Sequence, residues 1–116
     1  MTITIKDLDE VWTTDSYKLG MARCLHYRPE EQINPDEQLY AVYLEVENFE
    51  LGDDFYIPLM YVLGRDEENG HILLSTSMKQ VLNRTWSRMP DFVAKMEGRK
   101  ECLPAAEEDT AKPDPV

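Results

Sequence analysis

The sequence predicts a mainly β domain, a small barrel followed by a helical appendage, and three observations carry that expectation. Between Val11 and Leu74 the apolar residues fall in short β-prone runs rather than at helical spacing. Turn formers separate those runs: Asp15-Ser16, Gly52-Asp53-Asp54 and Asn69-Gly70. After residue 75 the pattern changes. Ser77 and Gln80 have capping-box spacing, and Met78, Val81 and Leu82 then fall on one helical face.

Val11-Trp12-Thr13-Thr14 opens the sheet, and Asp15-Ser16 turns the chain because short polar side chains bond nearby backbone. Leu19 to Tyr27 is the second strand, where Gly20 marks a bulge or a close backbone approach. Pro29 to Gln38 reads as a polar loop carrying Glu30, Glu31, Asp36 and Glu37. Alternation is clearest from Leu39 to Glu47. Tyr40, Val42, Leu44 and Val46 point one way, and Ala41, Tyr43, Glu45 and Glu47 the other. Phe55-Tyr56-Ile57 follows, and Pro58 stops or bends it. Tyr61-Val62-Leu63 continues the sheet, Arg65 to Gly70 makes a hairpin-like turn, and His71 to Leu74 pairs back. Beyond the capped helix, Pro90 starts a second short one with Phe92, Val93 and Met96 inward and Gly98 closing it. The expected organisation is a β domain over 1–75, a helical appendage over 76–103 packed on it, and a disordered acidic tail over 104–116. That tail has three prolines and four acids, too little apolar surface to offset its ordering entropy.

At 116 residues the chain makes one domain with a core of its own. Asp and Glu number 23 against 12 Lys and Arg, a formal charge of -11. Such a balance argues against direct nucleic-acid binding, which needs a basic face, and against docking on anionic lipid. No apolar run reaches membrane-span length, and the first residues lack the basic and apolar regions of a signal peptide. Cys24 and Cys102 are the only cysteines and form no C-x-x-C pair, so both are expected as free thiols of a cytoplasmic protein.

Clusters that carry chemistry are weak. Cys24 and His26 share a face of one strand, but a structural zinc site usually shows two close-spaced ligand pairs and only this one exists. As a nucleophile and base they lack an oxyanion turn or a helix N-terminus nearby. Asp53-Asp54 and Asp66-Glu67-Glu68 fall in expected turns, where solvent keeps them ionised. The latter run lacks the alternating ligands of a calcium loop. The glycines at 20, 52, 64, 70 and 98 form no phosphate-cradling motif. No catalytic residue, metal or cofactor is expected, and the chain reads as a non-enzyme.

Aromatic residues are the stronger signal: Trp12, Tyr17, Tyr27, Tyr43, Tyr56, Tyr61 and Trp86 are many large rings for one small barrel. Tyr43 shares its strand face with Leu39, Glu45 and Glu47. That strip is either an exposed partner surface, the seam of a homodimer, or the seat of the Met78–Phe92 segment.

The stretch Val11-x-Thr-Thr-Asp15-Ser-Tyr-Lys-Leu19-Gly20 resembles the opening hairpin of the PRC-barrel family, with Ser16 where the family prefers Gly and Ala22 where Val is usual. Phe55-Tyr56-Ile57-Pro58-Leu59 resembles a later strand of that family, and Gly70-His71-Ile72-Leu73-Leu74 its closing strand. The resemblance spans Val11 to Leu74. It implies a small SH3-like barrel acting as a docking module without catalytic residues. The expected function is therefore a protein-interaction module, self-associating as a homodimer, with no direct nucleic-acid contact and no membrane insertion. Leu39, Tyr43 and Tyr61 would anchor the partner, and Glu30, Glu31 and Glu37 would orient a basic one. The alternatives are a ribosome-assembly-type adaptor on a basic protein, and a small-ligand or sensory barrel with a pocket lined by Trp86, Met89 and Phe92.

Overall fold

The computed structural model describes residues 4–105. Among these residues the chain is mainly β, with seven strands: β1 (Glu10–Trp12), β2 (Lys18–Tyr27), β3 (Val42–Asn48), β4 (Asp53–Pro58), β5 (Val62–Arg65), β6 (Ile72–Leu74) and β7 (Arg99–Cys102). Their order is β4-β3-β2-β1-β6-β5, with β7 also on β2. Only β1 and β6 run parallel; the other pairs are antiparallel. The expected closed barrel is not formed among the described residues, because β4 and β5 end the order without pairing with each other. Instead the Tyr56 N–H of β4 donates to the Trp86 carbonyl at 2.7 Å, so a loop takes the place a closing strand would fill.

Local chemistry accounts for the strand ends. Ser16 holds φ 64° in the β1–β2 turn, with its N–H on the Thr13 carbonyl and the Thr13 hydroxyl donating to Asp15 at 2.6 Å. Gly20 is required by close approach, since a Cβ there would stand 2.5 Å from the Glu47 carbonyl oxygen. Gly70, at φ 74°, closes the β5–β6 turn as Asn-Gly was expected to.

One irregularity decides which residues meet. β2 pairs Ala22 with Val46 but Cys24 with Glu45, a bulge that turns the strand over. Ala22 and Leu25 therefore both reach the main core, while Cys24 and His26 face the opposite side. That core joins Val11, Leu19, Leu44, Val46, Ile57 and Ile72 with Val81 and Trp86. Each such aliphatic side chain contributes about 1.5–3 kcal/mol on burial.

The segment after β6 departs from the expected helical appendage. It contains α1 (Met78–Asn83) and α2 (Asp91–Ala94), both short, and then returns to the sheet as β7. The Ser77–Gln80 capping box forms with both reciprocal bonds. Val81 and Phe92 are buried as expected, but Leu82 and Met96 are exposed, because each helix is too short to lay a full apolar stripe on the sheet. The acidic tail expected at 104–116 lies outside the described residues from 106 onward. No helix among the described residues is long and apolar enough to cross a membrane.

Candidate functional site: the cleft beneath residues 84–98

The face of β2, β3 and β4 turned away from the main core carries a second buried cluster of Tyr43, Tyr56 and Phe92, flanked by Tyr40 and Val93. Phe92 arrives from α2 and lies 5.9 Å from the Tyr43 ring, tilted by 45°. This overturns the reading of Tyr43 as an exposed anchor. The short C-terminal segment covers it, and its exposure falls to 6%.

Beside that cluster lies a cleft of about 360 Å³ between the sheet and residues 84–91. Arg28, Arg84 and Arg88 line it together with Tyr43, Tyr56 and Trp86. Arg28 Nε donates to the Tyr40 carbonyl at 2.7 Å, and its Nη2 donates to the Tyr43 hydroxyl at 3.1 Å. The guanidinium rests 4.6 Å over the Phe92 ring. Arg84 donates to the Tyr61 hydroxyl at 3.1 Å and stands 5.5 Å from the Tyr61 and Trp86 rings. The Arg88 side chain makes no polar contact among the described residues. None of the three forms an ion pair there, although Asp91 also lines the cleft. Arg23, Arg65 and Arg99 are each neutralised by a carboxylate.

A neighbouring cavity of about 460 Å³ shares Tyr56 and Met89 with the cleft and is lined also by His26, Glu45, Asp54 and Lys100. His26 Nε2 sits 2.7 Å from Glu45 Oε1, and this bond with His26 holds the Glu45 carboxyl below its ordinary range. Asp54 is pushed the other way, by burial first and then by Glu45 and Glu47. Burial pushes the Tyr56 phenol up to about 12. Cys24 shares this face with His26, but burial and then Cys102 push its thiol up to about 11. It therefore stays a protonated thiol near neutral pH rather than a nucleophilic thiolate.

The other expected site residues are dispersed. Leu39 is half-buried and lines the arginine cleft. Tyr61 is half-buried, edge-on to Tyr40 at 6.1 Å and packed on Trp86 at 4.9 Å. Tyr40 stands between Tyr61 and Tyr43, so the supposed anchors do not form one exposed strip. Glu30, Glu31 and Glu37 are exposed on two 3-10 turns, Glu30–Gln32 and Pro35–Glu37. Trp86 and Met89 line the arginine cleft, while Phe92, buried against Tyr43, borders a separate concavity that shares Arg28, Leu39 and Asp91 with it. The arginines were missed because 23 acidic residues hide a local positive cluster in any chain-wide count. The usable signal was Arg84-x-Trp86-x-Arg88, two cations flanking a large ring. No family model matches this chain, nor does any curated protein or solved structure.

Proposed function

We propose that the protein is a non-enzymatic binding module that holds a small anionic ligand in the cleft of Arg28, Arg84 and Arg88. The observation that carries this reading is the gathering of three arginines without a carboxylate partner among the described residues of a chain of charge -11. Arginines in such a chain ordinarily find one of the many carboxylates. Three left facing one concavity supply fork-shaped donors that match carboxylate or phosphate oxygens. Trp86, Tyr43 and Tyr56 add ring surface to a lining that is otherwise mainly polar, and the volume is at the lower end for small-molecule sites.

Trp86 reports on the test, since Arg84 stands over its ring. In a Trp12→Phe background Trp86 is the sole tryptophan. Titration with inorganic phosphate and with citrate is expected to give a saturable change in its emission that Arg84→Gln with Arg88→Gln abolishes. A response no different from that of sodium chloride at matched ionic strength overturns the reading.

A second reading, docking of a basic protein partner by a PRC-type module, self-association included, is supported by the exposure of Glu30, Glu31, Asp36 and Glu37 together on one loop. Native mass spectrometry of the purified chain separates the two: a multiple of the chain mass favours association, and an added small mass per chain favours the cleft.

A further inference from the structure

Cys24 and Cys102 are far apart in the sequence and directly opposed in space. They are register partners across the β2–β7 ladder, with Sγ atoms 3.9 Å apart. The neighbouring Leu103 N–H donates to the Arg23 carbonyl at 3.2 Å, which makes Arg23 and Leu103 a hydrogen-bonded pair. Pairs alternate along an antiparallel ladder, so Cys24 and Cys102 occupy a non-hydrogen-bonded position. Such positions bring Cα atoms to about 4.5 Å and side chains closest together, within the separation a disulfide spans. Bringing the sulfurs into bonding distance needs side-chain rotation and a slight adjustment of β7, not a new fold.

We propose that Cys24 and Cys102 are a modification site, a dithiol that a low-molecular-weight disulfide such as oxidised glutathione converts into an intrachain cross-strand disulfide. The two sulfurs have unequal roles. Cys102 is exposed and Cys24 is buried, so Cys102 meets the oxidant first. Its thiolate attacks one sulfur of the oxidant, forms a mixed disulfide and releases one thiol equivalent. The Cys24 thiol, protonated at rest but held against the Cys102 sulfur, then bonds to that sulfur as its proton passes to the departing sulfur, which leaves as the second thiol. The two cysteines together lose two electrons and two protons, and the oxidant leaves as two thiols.

The bond fixes the element with the least to hold it. All four residues of β7 are exposed, and among the described residues β2 is the one strand it pairs with. β7 also supplies Arg99 and Lys100 to the wall of the His26–Glu45 cavity. Oxidation thus locks that wall in place, and reduction leaves it held by noncovalent contacts: the strand pairing, the Tyr27–Glu101 bond, Arg99 on the Tyr27 ring and Leu103 on the main core. This inference is independent of the ligand proposed for the arginine cleft.

The test is intact mass of the full chain, denatured without reductant after incubation with oxidised glutathione. The wild type is expected to lose two hydrogens and retain no adduct, with a melting temperature raised by on the order of 10 °C and restored by dithiothreitol. Cys24→Ser is expected to stop at one stable glutathione adduct on Cys102, and Cys102→Ser to stay unmodified while folded. A wild type that retains the adduct, or joins two chains through Cys102, overturns the proposal. Alkylation of both thiols in the treated wild type overturns it equally.

Discussion

Tyr43 and Phe92 pack ring to ring, 5.9 Å between centroids, across the junction of β3 and α2. One comes from β3 and the other from a helix of a single turn, so this contact seats α2 on the sheet. Phe92 is 1% exposed and Tyr43 6%. Phe92→Ala is expected to cost about 3–5 kcal/mol, the range for removing a buried aromatic ring. Tyr43→Glu is expected to cost about as much, because it removes the ring packed on Phe92 and sets a carboxylate on a buried apolar face, with Arg28 beside it offsetting only part of the loss. Urea denaturation followed by circular dichroism checks both. Tyr43→Phe keeps the ring and loses the bond accepted from Arg28 and the longer one donated to the Gln38 carbonyl, so about 1–2 kcal/mol is expected. A Tyr43→Glu chain as stable as wild type would mean that α2 does not cover this face.

Where the sequence was readable, a local pattern coincided with a local cause. Alternation in Val42–Asn48, positive φ at Gly70 and the reciprocal bonds of Ser77 and Gln80 each depend on residues close in sequence. β7 was not readable, because Arg-Lys-Glu-Cys is all exposed and gains its conformation from β2, some seventy residues earlier. Tyr43 was ambiguous for the same reason. Alternation placed it on the second face, but only the return of Phe92 decided whether that face met solvent. The arginine cleft likewise joins Arg28 from the end of β2 to residues beyond α1, a juxtaposition no spacing rule reports.

Gly98 is the residue that lets β7 return. It holds φ 75°, and a Cβ there would run into the Tyr27 carbonyl oxygen. Both the backbone conformation and the space exclude a side chain. Gly98→Ala is expected to release β7 from β2 while the main core stays folded. Hydrogen exchange checks it: protection is lost at the β2 and β7 amides that bond across this ladder and kept at β3. Uniform loss of protection would mean instead that β7 is required for the whole fold.

Ser16 carries a smaller strain with the opposite expectation. At φ 64° it occupies the left-handed region, which costs a residue with a Cβ about 1–2 kcal/mol. Its side chain is exposed, and the bonds of the turn are made by its backbone and by Thr13. Ser16→Gly is therefore expected to raise stability by about 0.5 kcal/mol, the relief being partly offset by the greater freedom of glycine in the unfolded chain. Thermal unfolding of the two chains side by side reads the difference. A lower melting temperature for the glycine variant would mean that the serine side chain supports the turn.

Asp54 makes a pH-dependent prediction. It stands directly opposite Glu47 across β3 and β4, and it also faces Glu45. Burial, Glu45 and Glu47 all raise its carboxyl above the ordinary 3.8. A carboxyl whose folded pKa is raised binds its proton more tightly in the folded chain, so its ionised form destabilises the fold. The penalty is complete above the folded pKa, shrinks as pH falls through it, and is gone below 3.8, where folded and unfolded chains are both protonated. Asp54→Asn removes the charge and leaves an amide able to donate to Glu45. It is expected to stabilise the protein at pH 7 by about 0.5–1 kcal/mol, the size of one unfavourable cross-strand charge pair. Glu45 contributes the opposite slope, since its carboxyl is lowered by His26 and its stabilisation is lost as pH falls. The check is therefore the difference between Asp54→Asn and wild type across a pH series, in which the part of the Glu45 contribution that comes from His26 cancels. That difference should narrow toward zero as the pH is brought below 4. A difference constant with pH would mean that the gain comes from packing rather than from charge.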